Sequence, residues 1–254
     1  MKAQEITSKI AYQTRVLKLP SIRNCAADLA NRARDEGWSH EEYLAAVLER
    51  QLIDREARSL HNRLTRAHLP SRKTLTDFNM EHQPHLKRDV LAYLSTAAFA
   101  AKADNIILLG PPGVGKTHLA QGLAIAAIEA GHLAYFDTAT GWLERLQQAH
   151  DAGTLEAELK RLRRYKVLVI DEVGYIPFDG AAANLFFQLI ANRYEQGSII
   201  ITSNLPFARW GEVFGDDTIA AAMIDRLIHH AEVINLDGES YRTRTRKQLL
   251  TTTN

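Results

Sequence analysis

The segment Gly110-Pro111-Pro112-Gly113-Val114-Gly115-Lys116-Thr117 constrains this chain more than any other. It follows the apolar run Asn105-Ile106-Ile107-Leu108-Leu109 and leads into His118-Leu119-Ala120-Gln121-Gly122-Leu123-Ala124, which reads as a helix. The pattern G-x-x-x-x-G-K-T between a strand and a helix predicts a loop whose backbone N–H groups wrap a string of phosphates. Glycine permits the backbone angles that such a wrap needs. Lys116 supplies a point charge toward the β and γ phosphates, and the Thr117 hydroxyl is a ligand for Mg²⁺. The helix that follows aims its positive end at the same anion. Residues 110–118, His118 included, are therefore expected to hold a nucleoside triphosphate.

From residue 105 onward, apolar runs alternate with helical stretches. Strands are predicted at 105–110, 132–137, 166–171, 198–203 and 232–236, and their near-continuous apolar character marks burial on both faces. This predicts a doubly wound α/β domain with a parallel sheet and its ligand at the carboxyl ends of the strands. The third strand ends Val169-Ile170-Asp171-Glu172. Asp171 is expected in the Mg²⁺ shell, and Glu172 as the base that orients and deprotonates the attacking water. The fourth ends Thr202-Ser203-Asn204, which puts Asn204 between the γ-phosphate and that water. Arg226 is the candidate arginine finger for the charge that develops on the γ-phosphate. An ordinary surface arginine paired with Asp225 or Glu232 is its other reading. Arg242 reads as a phosphate sensor or as part of a basic tail.

The front of the chain is different. Helices are predicted over 5–19, from a Ser21 cap to Gly37, and from the capping box Ser39-His40-Glu41-Glu42 to Pro70. The last has Leu44, Leu48, Leu52, Leu60 and Leu64 as its expected inner stripe. Residues 1–75 hold 14 Lys and Arg against 9 Asp and Glu, and the remainder 17 against 21, so the net charge of +1 hides a basic front. Arg50, Arg55, Arg58, Arg63, Arg66, Arg72 and Lys73 form either a solvated face or a phosphate-binding ridge. A second basic group, Lys160, Arg161, Arg163 and Arg164, closes the segment 138–165, which has room for two helices. The expected domains are a helical one over 1–70, a linker over 71–84 and a nucleotide domain over 85–254, opened by one helix at 85–100. Cys25, the single cysteine, reads as a packed apolar residue. With no signal-like or bilayer-length apolar run, the expected compartment is the cytoplasm.

Taken together, Gly110–Thr117, Val167–Glu172, Ile199–Asn204, Asp225–Leu227 and Gly238–Arg242 resemble the AAA+ ATPases of the initiator clade, most closely the IstB/DnaC group. Leu75-Thr76-Asp77-Phe78 resembles the segment before the ATPase core there. Leu19-Pro20, Gly37-Trp38-Ser39-His40-Glu41 and Ala67-His68-Leu69-Pro70 look like IstB rather than the helicase loader. The resemblance covers essentially the whole chain. It implies a transposition helper that uses ATP and Mg²⁺, assists an IstA-type transposase, binds duplex DNA with little sequence preference and forms an ATP-dependent homo-oligomeric ring or spiral, with no membrane role. It places Lys116, Thr117, Asp171, Glu172, Asn204 and Arg226 at the Walker A, Walker B, sensor 1 and arginine-finger positions. A DnaC-like helicase loader is the alternative, and Glu172 beside Asp171 argues against a small-molecule kinase. Only about eighteen residues follow Leu236, too few for the usual C-terminal helical lid.

Overall fold

Five parallel strands run β1 Asn105–Leu109, β2 Ala134–Thr138, β3 Val167–Val173, β4 Ser198–Ser203 and β5 Ala231–Asn235, in the spatial order β2-β3-β4-β1-β5. The computed structural model describes residues 3–83 and 85–238, and Arg242 lies outside them. Two units are resolved, Met1–Asn62 and Arg63–Asn254, with the boundary inside a helix.

Strand alternation explains how the sheet is covered. Ile107, Leu109, Leu168, Ile170, Ile199 and Ile201 face a cluster that includes Trp142, Phe186, Leu189 and Met223. These come from helices α7 Ala139–Asp151, α9 Gly180–Arg193 and α11 Asp217–Ile228. Ile106, Leu108, Val167, Val169 and Ile200 point the other way and are equally buried, beneath α6 Lys116–Glu129. Strands β1, β3 and β4, buried on both sides, need helices on both, and the doubly wound α/β expectation is met; the expected burial fails at the edge strand β5, where Glu232, Val233 and Asn235 are exposed. The segment between β2 and β3 holds two helices as expected, α7 and α8 Leu155–Leu162.

The single helix expected at 85–100 is two, α4 Arg88–Ser95 and α5 Ala98–Lys102. The Thr96 hydroxyl donates back to the Tyr93 carbonyl (2.7 Å), and Ala97 takes φ 57°. Thr so placed competes with the helical ladder. The break drives Phe99 into the core, where its carbonyl accepts from the Ser198 hydroxyl.

In the first unit, α1 Ala3–Val16 and α2 Pro20–Glu36 precede α3 His40–Arg66, whose last turn belongs to the second unit. The capping box closes as expected: Ser39 N donates to the Glu42 carboxylate (2.6 Å) and Glu42 N to Ser39 Oγ (3.2 Å). Those bonds hold the Glu42 carboxyl below its ordinary range. Two expectations fail here. Ser21 does not cap α2, which starts one residue earlier on Pro20, suited by its fixed φ to a first turn. Ser21 is instead buried, its N–H donating to Gln51 Oε1 and its Oγ accepting from Arg58. The leucine stripe of α3 does not face inward in this unit either. Leu44, Leu48 and Leu52 are 56, 46 and 57% exposed, whereas Val47 and Gln51 are buried and Tyr43 donates to the Ala26 carbonyl. Hydrogen bonding from α2 selects the face that carries Tyr43 and Gln51. Cys25 is half-buried, and burial pushes its thiol up, as fits a packing residue.

Residues 71–83, expected as part of a linker, are laid along the second unit. Ser71 Oγ donates to Gln121 Oε1 (2.9 Å), and the Gln83 side chain donates to the Val114 carbonyl (2.9 Å). Leu75 lies so close to Gly122 that a Cβ there would stand 2.6 Å from Leu75 Cδ2. Glycine at 122 is thus what lets the strap approach α6. Gly122→Val is expected to lift the strap. Amide exchange over 71–83 should rise at least tenfold while β1, β3 and β4 keep their protection, as read by hydrogen-exchange mass spectrometry.

Candidate active site

The loop Gly110–Gly115 links β1 to α6, and its last residue, Gly115, is the helix N-cap at φ 100°. A Cβ on Gly115 would stand 3.0 Å from the Phe78 ring, so the strap also closes on this loop. Lys116 is 7% exposed, and its ammonium donates to the carbonyls of Gly110 (2.6 Å) and Pro111 (2.8 Å).

Strand alternation brings the acids to the loop. Thr202 shares a face with Ile200, and Asp171 with Val169, the face that α6 covers. The buried Asp171 Oδ1 accepts from Thr117 Oγ1 (3.0 Å) and from Thr202 Oγ1 (2.5 Å). Burial raises the Asp171 pKa, against the two hydroxyl bonds and the Lys116 charge that lower it. One residue further the ladder slips: Ile170 pairs with Ile201, yet Val173 pairs with Ser203. The extra residue is a bulge that re-aims a side chain. Glu172 takes φ 65° there, its N–H donates to Thr202 Oγ1 (2.9 Å), and its carboxylate is exposed to the cavity. Holding a non-glycine residue at that φ costs about 1–2 kcal/mol.

The cavity measures about 440 Å³. Gly113, Val114, Gly115, Lys116, Thr117 and His118 line it, together with Glu172. The rest of its wall is Lys73, Asp77, Phe78, Asn79, His82 and Gln83 from the strap, Tyr175 after β3 and Thr202, and of these sequence reasoning offered only Lys73 as a phosphate ligand. His118 Nε2 is 2.9 Å from the Thr74 carbonyl, and its ring meets Phe78 edge to face at 5.3 Å. Thr74 N–H and Oγ1 both donate to Asp77, which lowers its pKa. The isolated apolar anchors Leu75 and Phe78 in a polar stretch were the signal for this wall. Thr202, a hydroxyl ending an apolar strand, was the signal for the other.

Asn204 sits just past β4, and its Oδ1 is enclosed with no hydrogen-bond partner among the described residues. Arg226 stands apart from this cavity. It lies on α11, stacks over Phe187 at 4.9 Å and donates to the Ala222 carbonyl (2.9 Å). Members of the basic series read as a solvated face or a phosphate-binding ridge have different partners: Arg50 pairs with Asp54, Arg63 donates to the Ile128 carbonyl, and Lys73 joins the cavity wall. In the second basic group, Arg161 is clamped on Glu158 and Arg163 donates to Asn192. Among the described residues no helix is long and apolar enough to cross a membrane.

Residues 12–249 match the family model of the IstB-like ATP binding protein. The chain belongs to this family. Within it, the insertion sequence IS21 ATP-binding protein of Pseudomonas aeruginosa is 40% identical over 91% of this chain and 88% of its own. The IS5376 ATP-binding protein of Geobacillus stearothermophilus is also 40% identical, over 91% and 92%. The IstB-like fold is that of the AAA+ ATPases. AMPPCP-bound DnaA from Aquifex aeolicus aligns with TM-score 0.57 at 18% identity, over 73% of this chain and 56% of that one. The DnaC helicase loader aligns with TM-score 0.52 at 23% identity, over 65% and 97%. The IstB resemblance and the ATPase class read from the motifs are thereby borne out.

The raised pKa of Asp171 carries a stability consequence. The folded chain takes up this proton at a higher pH than the unfolded chain, so at neutral pH the buried charge works against folding. Asp171→Asn keeps Oδ1 as an acceptor and removes the charge. It is expected to raise the nucleotide-free melting temperature by a few degrees at pH 7. That gain should fade as the pH falls through the raised pKa toward the ordinary 3.8, as followed by calorimetry.

Proposed function

We propose that the protein binds ATP with Mg²⁺ in this cavity, hydrolyses it, assembles through it with further copies of itself and holds duplex DNA on behalf of an IstA-type transposase. The observation that carries the reading is the convergence of Thr117 and Thr202 on the buried Asp171, beside Lys116 and below Glu172. Identity of 40% to insertion-sequence proteins over nine-tenths of the chain favours transposition over helicase loading.

The donor set suits the ion. Thr117 Oγ1 and the Asp171 carboxylate are hard oxygen ligands, the kind that Mg²⁺ takes alongside phosphate oxygens. When bound, Mg²⁺ supplies positive charge to the β and γ phosphate oxygens. The loop N–H groups and Lys116 hold the triphosphate, and Lys116 turns its ammonium from the loop carbonyls to the γ-phosphate. Phe78 and His118, on the strap side, enclose the base and exclude water there. Glu172 accepts a proton from the water that attacks the γ-phosphorus, and ADP leaves with the β–γ bridging oxygen. Asn204, whose Oδ1 is otherwise unpartnered, orients that water. Arg226 lies outside its own cavity and serves that of a neighbouring copy, which makes ATP occupancy and assembly one equilibrium.

Glu172→Gln is expected to keep ATP binding and to lower turnover by 10²–10⁴-fold or so, measured as phosphate release without any acceptor. Lys116→Ala should weaken nucleotide binding itself. A normal rate in Glu172→Gln would remove the proposed base. Mixing Arg226→Ala with Glu172→Gln subunits should restore hydrolysis above either alone, because some interfaces then pair an intact Arg226 with an intact Glu172. A mixture no faster than its parts would place Arg226 outside the chemistry.

A further inference from the structure

The first unit contains a cleft of about 800 Å³ at the junction of its three helices. Five cations line it: Arg15 at the end of α1, Lys18 in the turn, Arg23 on α2, and Arg55 and Arg58 on α3. Among the described residues no Asp or Glu lines it. None of Arg15, Lys18, Arg23 and Arg55 forms an ion pair among the described residues. Arg58 is held in place, donating to Ser21 Oγ (2.8 Å) and to the Asp54 carbonyl (2.9 Å). A solvated helix face does not account for this. Solvated faces mix their charges, and the same unit offers the comparison. A second cleft of about 580 Å³ is lined by Asp28, Glu49 and Asp54 as well as Arg32 and Arg50. There Arg50 pairs with Asp54 at 3.4 Å.

Gathering like charges from three helices costs free energy through mutual repulsion, and an anion of matching spacing relieves it. Lys18 adds to the cost, since it carries φ 55°, a left-handed angle for a residue with a side chain. Four of the five cations are arginines, whose planar fork suits phosphate oxygens. We propose that this cleft is a phosphodiester-binding site, and that it grips the backbone of duplex DNA through Arg15, Lys18, Arg23, Arg55 and Arg58. The assignment rests on the DNA-binding reading above and names the surface responsible. It also sets the mode of recognition, because contacts to phosphate position a protein without reading base sequence.

The test uses the full chain with ATP and Mg²⁺ and a fluorescent duplex of arbitrary sequence, with Kd measured from 50 to 200 mM salt. Three paired variants are compared: Arg23→Gln with Arg55→Gln, Arg23→Lys with Arg55→Lys, and Lys160→Gln with Arg164→Gln on the second basic group. Neither Arg23 nor Arg55 makes a side-chain hydrogen bond or ion pair among the described residues, so the melting temperature should stay within a degree or so of the unvaried protein. The glutamine pair is expected to weaken binding roughly tenfold at the lowest salt and to flatten the slope of log K against log salt by about 1.8. The lysine pair should keep the slope, because the charges remain. Binding by the unvaried protein with an unchanged Kd and slope in the glutamine pair would overturn the cleft assignment and leave the DNA reading standing. A flattened slope in the Lys160 and Arg164 pair alone would move the DNA to that surface. If the unvaried protein ignores duplex at every salt concentration, the DNA reading falls and takes the cleft with it.

Discussion

One carboxylate ties the second unit together. Asp171 Oδ1 accepts from a hydroxyl on α6 and from another on β4, while its own strand passes between β2 and β4. The helix that follows the Gly110–Gly115 loop, the acidic strand and the strand that precedes Asn204 therefore meet at a single oxygen. A buried ionised acid is costly unless hydrogen bonds satisfy it, and here two hydroxyls do so against the pull of desolvation. The same hydroxyl that steadies Asp171 through Thr202 also receives the Glu172 N–H, which sets the bulge. Positioning of the loop and aiming of the proposed base are thus one hydrogen-bonded chain.

Stability is given up at this point in two ways. Asp171 is held charged in a place that disfavours charge, and Glu172 is held at a backbone angle that disfavours its side chain. Both departures sit at the carboxyl ends of the parallel strands, where ligands bind in open α/β sheets. Such strain persists only where the surroundings over-determine it. Here the surroundings are the strands β1, β3 and β4, buried beneath α6 except at Glu172 itself. The strap over residues 71–83 closes the cavity from the other side, with Phe78 against Gly115 and Gln83 on the Val114 carbonyl.

Much of this was legible in the sequence because it depends on local pattern. The central strands, buried throughout or nearly so, read as apolar runs, and all five strands were found within two residues of their observed ends, the mostly exposed edge strand β5 included. The loop motif, the acids near the end of β3 and Asn204 after β4 followed from chain order alone. What was not legible depends on which neighbour a face meets. Periodicity marks Leu44, Leu48 and Leu52 as one apolar stripe, but only the Gln51 and Tyr43 hydrogen bonds decide which stripe of α3 meets α2. The strap reads as a linker because two apolar anchors in a polar stretch form no period, although Leu75 and Phe78 fix it to α6 and the loop. The arginine series on α3 reads as one face, solvated or phosphate-binding, whereas its members turn to Asp54, to the Ile128 carbonyl and to a cleft shared with α1 and α2. No spacing rule within one helix could bring Arg15 and Arg23 beside Arg55.

Isothermal titration calorimetry of the full chain with a non-hydrolysable ATP analogue, in the presence and absence of Mg²⁺, tests the central claim most directly. A site built on Thr117 and the shared Asp171 predicts one nucleotide per chain, bound at least tenfold more tightly with Mg²⁺, and that advantage abolished by Asp171→Asn. Equal affinity with and without the ion, or a Mg²⁺ advantage that survives Asp171→Asn, would contradict it.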